Sequence, residues 1–186
     1  TFLSSSETMK QMMSSLFPLC DLITPNFDEI CLILSICEDF KTLNQIKSQR
    51  NKKNFLELLE KSTYKICTMY SCDVIVTGIC LKKFNNKFSS QQSNYNSDLV
   101  DLLNFENKLT YFYKKKISSR NTHGTGCSFS SAIAAKQALG EDIINSISFA
   151  QSYVNKSIKH AQKIRIGKGT GPVNHFFSPS PLATIN

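Results

Sequence analysis

The sequence predicts an α/β layered domain. Helical and strand-like patterns alternate along its first 80 residues, which is typical of a sheet covered by helices. Residues 73–78 (Asp-Val-Ile-Val-Thr-Gly) form a β-branched run that ends at glycine, as buried parallel strands do. With 186 residues, of which 41% are hydrophobic, the chain is long enough for one domain with a sizeable core.

Three elements are predicted before residue 40. Apolar residues at helical spacing indicate a helix over 6–17, which ends before Pro18. A short strand follows over 20–24, closed by Pro25. The next helix runs from residue 26 to residue 36 and begins at an asparagine, one of the best N-cap residues.

The rest of the chain continues this alternation, with two polar interruptions. Residues 41–53 are basic and residues 82–97 are rich in Asn, Ser and Gln, so we interpret both as flexible insertions. The other predicted elements are a helix over 55–68, edge-like strands over 98–104 and 109–113, and helices over 127–139 and 141–163, the first of which stops at Gly140.

The net charge of +8 is compatible with an anionic ligand. Basic runs are also common on ordinary solvated surfaces, and both interpretations stay open here. There is no aromatic-glycine RNA-binding signature and no zinc-finger spacing, so we expect no nucleic-acid partner.

Seven cysteines are present without a Cys-x-x-Cys pair, which favours reduced thiols in a cytoplasmic protein over disulfides or zinc. The three histidines are scattered, so a histidine metal site is not expected. No apolar run reaches the roughly 20 residues that a membrane span requires. The first residues do not form a signal peptide either. We therefore expect no membrane partner.

A glycine-rich turn precedes the Ala-rich helical run. Gly124, Thr125 and Gly126 could direct three backbone N–H groups towards an anion at the helix N-terminus. Cys127 would lie in the first helical turn, where the helix dipole favours a thiolate. The alternative is an ordinary strand-to-helix turn followed by a small buried cysteine.

Asn26 and Glu29 also allow two interpretations. Their spacing predicts a capping box, in which each side chain accepts a hydrogen bond from the other residue's backbone N–H. An amide and a carboxylate are also oxygen ligands of the kind that Mg²⁺ prefers. Both roles can hold at once.

Four motifs now stand in order along the chain: Thr24-Pro25-Asn26-Phe27-Asp28-Glu29, Val76-Thr77-Gly78, His123-Gly124-Thr125-Gly126-Cys127, and residues 167–176 (Gly-Lys-Gly-Thr-Gly-Pro-Val-Asn-His-Phe). Together they resemble the ribokinase-like superfamily, and within it the hydroxymethylpyrimidine/phosphomethylpyrimidine kinases of thiamine biosynthesis. The resemblance implies a three-layer α/β/α fold with a mostly parallel central sheet.

The resemblance implies ATP-dependent phosphorylation of 4-amino-5-hydroxymethyl-2-methylpyrimidine and then of its monophosphate. By the same resemblance, Gly124, Thr125 and Gly126 would line an anion hole for the transferring phosphoryl group. Cys127 would occupy the position of the catalytic base.

Five further residues are implicated in binding ATP and Mg²⁺ by the family's motifs. Asn26 and Glu29 would organise Mg²⁺, its waters and the nucleotide phosphates. Thr77 and Gly78 match a turn that lies beside the nucleotide, and Lys168 is placed to approach the phosphates.

The chain departs from the family in two respects. Thr77-Gly78-Ile79-Cys80 stands where the family usually has Lys-Gly-Gly-His. Nothing corresponds to the family's N-terminal Gly-rich segment that contacts the pyrimidine, and the first residue is Thr1. We therefore expect residues 1–186 to be the C-terminal, nucleotide-side part of a single kinase domain, inactive alone, from a protein that forms dimers. The alternatives are a hydroxyethylthiazole or pyridoxal kinase, or a nucleotide-binding protein without catalysis.

Overall fold

The computed structural model describes residues 5–49, 55–80 and 99–179. They belong to two compact units, Thr1–Lys116 and Ile117–Asn186. The elements of the first unit are α1 (Ser6–Ser15), β1 (Leu22–Ile23), α2 (Phe27–Ile36), α3 (Phe40–Gln49), α4 (Phe55–Tyr70), β2 (Asp73–Cys80), β3 (Leu99–Phe105) and β4 (Lys108–Lys114).

The four strands of the first unit form one sheet in the order β1-β2-β3-β4. β1 and β2 are parallel, as predicted, whereas β3 runs antiparallel to β2 and to β4. The described part of the sheet is therefore mixed, and not mostly parallel. Glu106 and Asn107 form the two-residue turn between β3 and β4, both at positive φ. So short a connection can only join antiparallel strands.

The core of the first unit lies between this sheet and its helices. β2 and β3 carry fully buried side chains, of which those of Val74, Val76 and Leu102 belong to this core. On α2 and α4 the buried side chains recur at helical spacing, as in amphipathic helices. The fully buried apolar residues include Ile30, Ile33 and Leu34 on α2, Leu59 and Ile66 on α4, Val74, Ile75 and Val76 on β2, and Leu102 and Leu103 on β3.

The prediction of a flexible insertion over 41–53 is wrong for residues 41–49, which belong to α3. Leu43 and Ile46 explain the difference, because they lie three positions apart and are both buried. Two apolar residues on one helical face anchor an otherwise polar and basic helix. Residues 50–53 and the predicted insertion over 82–97 lie outside the described residues.

The second unit contains β5 (Asn121–His123), α5 (Thr125–Ala138), α6 (Ile143–Ala161) and β6 (Gly171–Pro172), followed by a 3₁₀ turn over His175–Phe177. β5 and β6 are parallel. Both predicted helices are confirmed, including the stop of α5 at Gly140, which has a φ of 82°. A left-handed glycine directly after a helix is a common C-terminal signal.

Asn121 is a buried polar residue that holds the second unit together. Its Nδ2 donates hydrogen bonds to the carbonyl oxygens of Ala161 and Ile164, at the end of α6. Its Oδ1 lies 2.0 Å from the position that a Cβ atom on Gly171 would occupy. Position 171 therefore accepts glycine because any side chain would collide with the Asn121 amide.

We predict that Gly171→Ala lowers the free energy of unfolding by about 1–3 kcal/mol, the usual cost of overpacking a close contact. Chemical denaturation of the variant measures this. Gly169→Ala is the matched control, because a Cβ at position 169 would meet nothing within 4 Å. Equal stabilities for the two variants would contradict the steric argument.

Asp39 connects the start of α3 to α4. Its Oδ1 accepts a hydrogen bond from the Thr42 N–H at 3.2 Å, and its Oδ2 lies 2.8 Å from Lys65 Nζ. The hydrogen bond from Lys65, supported by Thr42, lowers the pKa of the Asp39 carboxyl below its usual value, although burial opposes the shift. The ionised carboxylate is thus the form that stabilises the fold.

This lowered pKa predicts a pH-dependent contribution to stability. The contribution is fully present above the unfolded-state pKa of about 3.9 and is lost as pH falls through the lower folded-state value. Asp39→Asn should therefore lower the melting temperature at pH 7, and the difference from the wild type should shrink below about pH 4. Melting curves of both proteins between pH 2 and pH 8 test this. A difference that grows as the pH falls would have the wrong sign.

Candidate functional site

The N-terminus of α5 exposes backbone N–H groups without side-chain acceptors. Gly124 is the N-cap with a φ of 90° and, being glycine, caps nothing with a side chain. The first hydrogen bond along the helix runs from the Ser128 N–H to the Gly124 carbonyl oxygen, at 2.9 Å. The N–H groups of Thr125, Gly126 and Cys127 precede this ladder and remain available to an anion.

Cys127 is exposed on the first turn of α5. The alternative of a small buried hydrophobic residue is therefore wrong at this position. Cys31 and Cys72 do fit that description, and Cys67 is partly buried. Burial raises the pKa of the Cys67 and Cys72 thiols to about 11, so both are protonated at neutral pH.

The segment after β6 supports the glycine turn. The Val173 N–H donates to the His123 carbonyl oxygen at 3.1 Å, directly before Gly124. The Ser128 hydroxyl donates to the Gly124 carbonyl oxygen at 2.7 Å and lies 3.5 Å from His175 Nε2. The last residues of the C-terminal glycine-rich motif, Val173 and His175, therefore support the predicted anion hole structurally.

His175 is held in turn by α6. Its Nδ1 lies 2.9 Å from the Tyr153 hydroxyl, and the two rings stack with centroids 6.0 Å apart. His175 belongs to the fourth family motif, but the sequence predicts no role for it and does not single out Tyr153 or Ser128. No spacing in the sequence connects these three residues, because the contact depends on how the chain returns after α6.

Lys168 lies in the exposed loop between α6 and β6. Its carbonyl oxygen accepts a hydrogen bond from Arg120, at 3.0 Å. Arg120 precedes β5, whereas Gly124 follows it, so the backbone at Lys168 lies at the opposite end of this strand from the glycine turn. A three-residue strand is about 10 Å long. A role of Lys168 in binding phosphates stays a prediction.

In the first unit, Asn26 and Glu29 form the predicted capping box at the start of α2. Asn26 Oδ1 accepts hydrogen bonds from the N–H groups of Asp28 and Glu29, at 2.9 and 3.0 Å. Glu29 Oε2 accepts the Asn26 N–H at 2.9 Å. The prediction of a helix cap is confirmed.

This arrangement also bears on the predicted Mg²⁺ site. Asn26 Oδ1 already accepts two hydrogen bonds, so its acceptor capacity is used. Glu29 Oε1 has no hydrogen-bond partner among the described residues, which include no cluster of three or more metal-ligating side chains. A single carboxylate oxygen suits Mg²⁺, which keeps several waters and binds phosphates. Glu29 is the better candidate ligand.

Thr77 lies next to Asn26, which follows the carboxyl end of β1, and Gly78 is the next residue within β2. The Thr77 N–H donates to the Pro25 carbonyl oxygen at 2.9 Å, and Asn26 and Thr77 form a parallel bridge. Gly78 is exposed and has a φ of 70°, which favours glycine. The structure thus brings together Asn26, Thr77 and Gly78, three of the predicted nucleotide-side residues.

Two residues beside this turn escaped sequence reasoning. Asp101 accepts a hydrogen bond from the Gly78 N–H at 2.7 Å, and Lys114 lies 2.6 Å from the same carboxylate. The sequence offers one signal for Asp101, since it is an acidic residue within the apolar run of β3. An acidic residue in such a run indicates a charge that is paired or functional.

The sequence pattern of the family described as "Phosphomethylpyrimidine kinase" matches residues 1–174. The chain belongs to the phosphomethylpyrimidine kinase family. This membership confirms the resemblance to these kinases that the four sequence motifs indicate.

Relatives with known names agree with this membership. A "Hydroxymethylpyrimidine/phosphomethylpyrimidine kinase" of Rhizobium meliloti strain 1021 is 48% identical over 61 residues, which are 33% of this chain and 23% of that protein. A protein of the same name from Staphylococcus aureus strain Mu50 is 26% identical over 174 residues, which are 94% of this chain and 53% of that protein. The chain thus spans about half the length of the second relative.

Solved structures show the same fold. The pyridoxal kinase of Staphylococcus aureus, determined in complex with AMP-PCP and pyridoxal, aligns with a TM-score of 0.68 and 20% identity. The alignment covers 94% of this chain and 55% of the pyridoxal kinase. The fold of this member of the phosphomethylpyrimidine kinase family is therefore ribokinase-like. None of its described helices combines the length and the apolar character needed to cross a bilayer.

The capping box generates a prediction that separates the structural role of Asn26 from any role in ligand binding. Asn26→Ala should lower the free energy of unfolding by about 1 kcal/mol, because two N–H groups lose their acceptor. Asn26→Ser, which keeps an N-cap oxygen, should stay within about 0.5 kcal/mol of the wild type. Urea unfolding measures both. Equal losses would show that Asn26 stabilises the fold by something other than its cap.

Proposed function

We propose that the protein carrying this chain phosphorylates 4-amino-5-hydroxymethyl-2-methylpyrimidine and its monophosphate with ATP, in thiamine biosynthesis. The observation that carries the proposal is the N-terminus of α5, where three backbone N–H groups lack helical partners beside the exposed Cys127. Family membership and the names of the relatives support this choice of substrates.

The second unit supplies the groups that phosphoryl transfer requires. The reaction depends on positioning and on neutralising charge on the transferring group, more than on covalent chemistry with the protein. The N–H groups of Thr125, Gly126 and Cys127 would stabilise that charge as donors at a helix N-terminus. Gly124 permits this geometry because its φ is positive and it has no side chain.

Cys127 is the proposed general base. Its thiolate Sγ would take the proton of the substrate hydroxyl while that oxygen attacks the γ-phosphorus of ATP. The bond between the γ-phosphorus and the bridging oxygen breaks, and ADP leaves with the electron pair. Cys127 is exposed and lies in the first turn of α5, so its Sγ is accessible to a substrate hydroxyl.

The first unit carries the proposed nucleotide side. Glu29, held by Asn26, would bind Mg²⁺, which when bound neutralises phosphate charge. Thr77 and Gly78 would contact the nucleotide, and Lys168 of the second unit would approach its phosphates. Solved relatives of the same fold were crystallised with ADP and AMP-PCP, which supports ATP as the phosphoryl donor. We further propose that the protein acts in the cytoplasm as a dimer.

We predict that Cys127→Ala lowers kcat by about 10²–10⁴-fold, the usual contribution of a positioned base, with the KM for ATP unchanged. Release of ADP by the full-length protein with the hydroxymethylpyrimidine as substrate measures this, and circular dichroism checks the fold. Cys20→Ala, which removes a half-buried thiol of the first unit, is the matched control.

Three outcomes would contradict the proposal. An unchanged kcat in Cys127→Ala would exclude this thiol as the base. Faster phosphorylation of pyridoxal or hydroxyethylthiazole by the wild type would assign the chain to one of those activities. Calorimetry that shows ATP binding without turnover of any of the three alcohols would indicate a nucleotide-binding protein without catalysis.

A further inference from the structure

His175 is an exposed histidine with a neighbour at each of its two ring nitrogens. Its Nδ1 lies 2.9 Å from the Tyr153 hydroxyl, and its Nε2 lies 3.5 Å from the Ser128 hydroxyl. The backbone beside it is fixed as well, because the Asn174 N–H donates to the Ser157 carbonyl oxygen at 3.1 Å. The imidazole is thus held at the surface with Nε2 directed towards the first turns of α5.

The direction of these hydrogen bonds follows from the protons that are available. The Ser128 hydroxyl has one proton and donates it to the Gly124 carbonyl oxygen at 2.7 Å, so its oxygen can only accept from His175. Nε2 of His175 therefore carries the ring proton. In a neutral imidazole the other nitrogen is an acceptor, so Tyr153 donates its hydroxyl proton to Nδ1. The three side chains form a chain of hydrogen bonds that all point towards Gly124.

This chain of hydrogen bonds ends on the peptide group between Gly124 and Thr125. The carbonyl oxygen of Gly124 and the N–H of Thr125 belong to this one planar, resonant group. A hydrogen bond to the carbonyl oxygen polarises the group and makes its N–H a stronger donor, and successive bonds in a chain reinforce one another. The Thr125 N–H is one of the three groups that would face the transferring phosphoryl group.

A serine that donates to the carbonyl oxygen four residues back is in itself a common local bond. The start of α6 has the same bond, from the Ser146 hydroxyl to the Asp142 carbonyl oxygen at 2.8 Å. There the serine oxygen accepts from Gln137, and the Asp142 side chain caps the Asn145 N–H. α5 combines the bond with an N-cap that has no side chain and with a histidine next to the serine.

We propose that His175 is a positioning residue for phosphoryl transfer. Tyr153 sets its Nε2–H tautomer, and through Ser128 the imidazole fixes and polarises the Gly124–Thr125 peptide group. The inference deepens the proposed function and rests on it. Its weakest contact is the one of 3.5 Å, which is long for a hydrogen bond, but such contacts in active sites often shorten when substrate binds. A stronger donor matters most where charge develops, so the effect falls on kcat.

Kinetics of the full-length protein test this in variants of His175 and Ser128. Loss of a whole oxyanion donor costs about 10²–10³-fold in kcat, so weakening one donor should cost less. We expect His175→Leu to lower kcat by about tenfold and to leave the KM for ATP within about twofold. Ser128→Ala should have the same effect, and the double variant should be no slower, because the histidine acts through this serine. His175→Gln, which keeps an amide donor, should retain most of the wild-type kcat.

His160→Leu is the matched control. His160 is likewise exposed and stacks on an aromatic ring of the second unit, that of Phe177, at 5.5 Å between centroids. Its Nδ1, however, lies 2.9 Å from the Lys156 carbonyl oxygen, within its own helix. This variant should leave kcat unchanged, and circular dichroism checks the fold of every variant.

A second measurement does not depend on activity. ¹⁵N NMR of the full-length protein at about pH 8, where a free imidazole is mostly neutral, shows which ring nitrogen carries the proton. We expect the Nε2–H form of His175 in the wild type and a mixture of tautomers in Tyr153→Phe. In His175→Leu the amide ¹⁵N and proton resonances of Thr125 should move upfield, because its peptide group is less polarised.

The outcomes separate the inference from the proposed function. A kcat within about twofold of the wild type in folded His175→Leu would overturn the inference and leave the kinase assignment intact. Multiplying losses in the double variant would show that His175 does not act through Ser128, and would overturn it too. The Nδ1–H tautomer in the wild type would overturn it whatever the protein phosphorylates. A wild type with the Nε2–H tautomer that phosphorylates none of the three alcohols would overturn the proposed function itself.

Discussion

Backbone N–H groups at the start of a helix need acceptors, and the source of these acceptors distinguishes the helices of this chain. Ser5, Asn26 and Asp142 cap α1, α2 and α6 with their side chains. Gly124 provides no such oxygen for α5. The same physical requirement that side chains meet in part at these helix starts leaves the backbone N–H groups at the start of α5 open to a negatively charged ligand.

The same reasoning applies at the register shift within β2. There the chain uses a buried carboxylate as an acceptor for the Gly78 N–H, and Lys114 balances its charge. A backbone turn that is fixed by hydrogen bonds on both sides loses little further freedom when a ligand binds, which is the basis of preorganisation. Main-chain groups thus form both the start of α5 and the Thr77–Gly78 segment of β2. Side chains determine which of these main-chain groups remain available to a ligand.

Local sequence signals predicted the parts of the structure that local physics controls. The Asn26 capping box, the end of α5 at Gly140 and the β-branched run of β2 each depend on a few adjacent residues. The sequence could not reveal α3, since only Leu43 and Ile46 distinguish it from a polar loop. Contacts that depend on register or on the return of the chain, such as those of Asp101 and His175, require the folded structure.

The close approach of Gly171 to Asn121 constrains how this family member can change over evolutionary time. A larger residue at position 171 is acceptable only after residue 121 has become smaller, because the Asn121 amide fills the space. Shortening residue 121 first would leave the carbonyl oxygens of Ala161 and Ile164 without their donor. Each single step is unfavourable although the double change could be accommodated, so epistasis between these two positions preserves the path of the chain into the glycine turn.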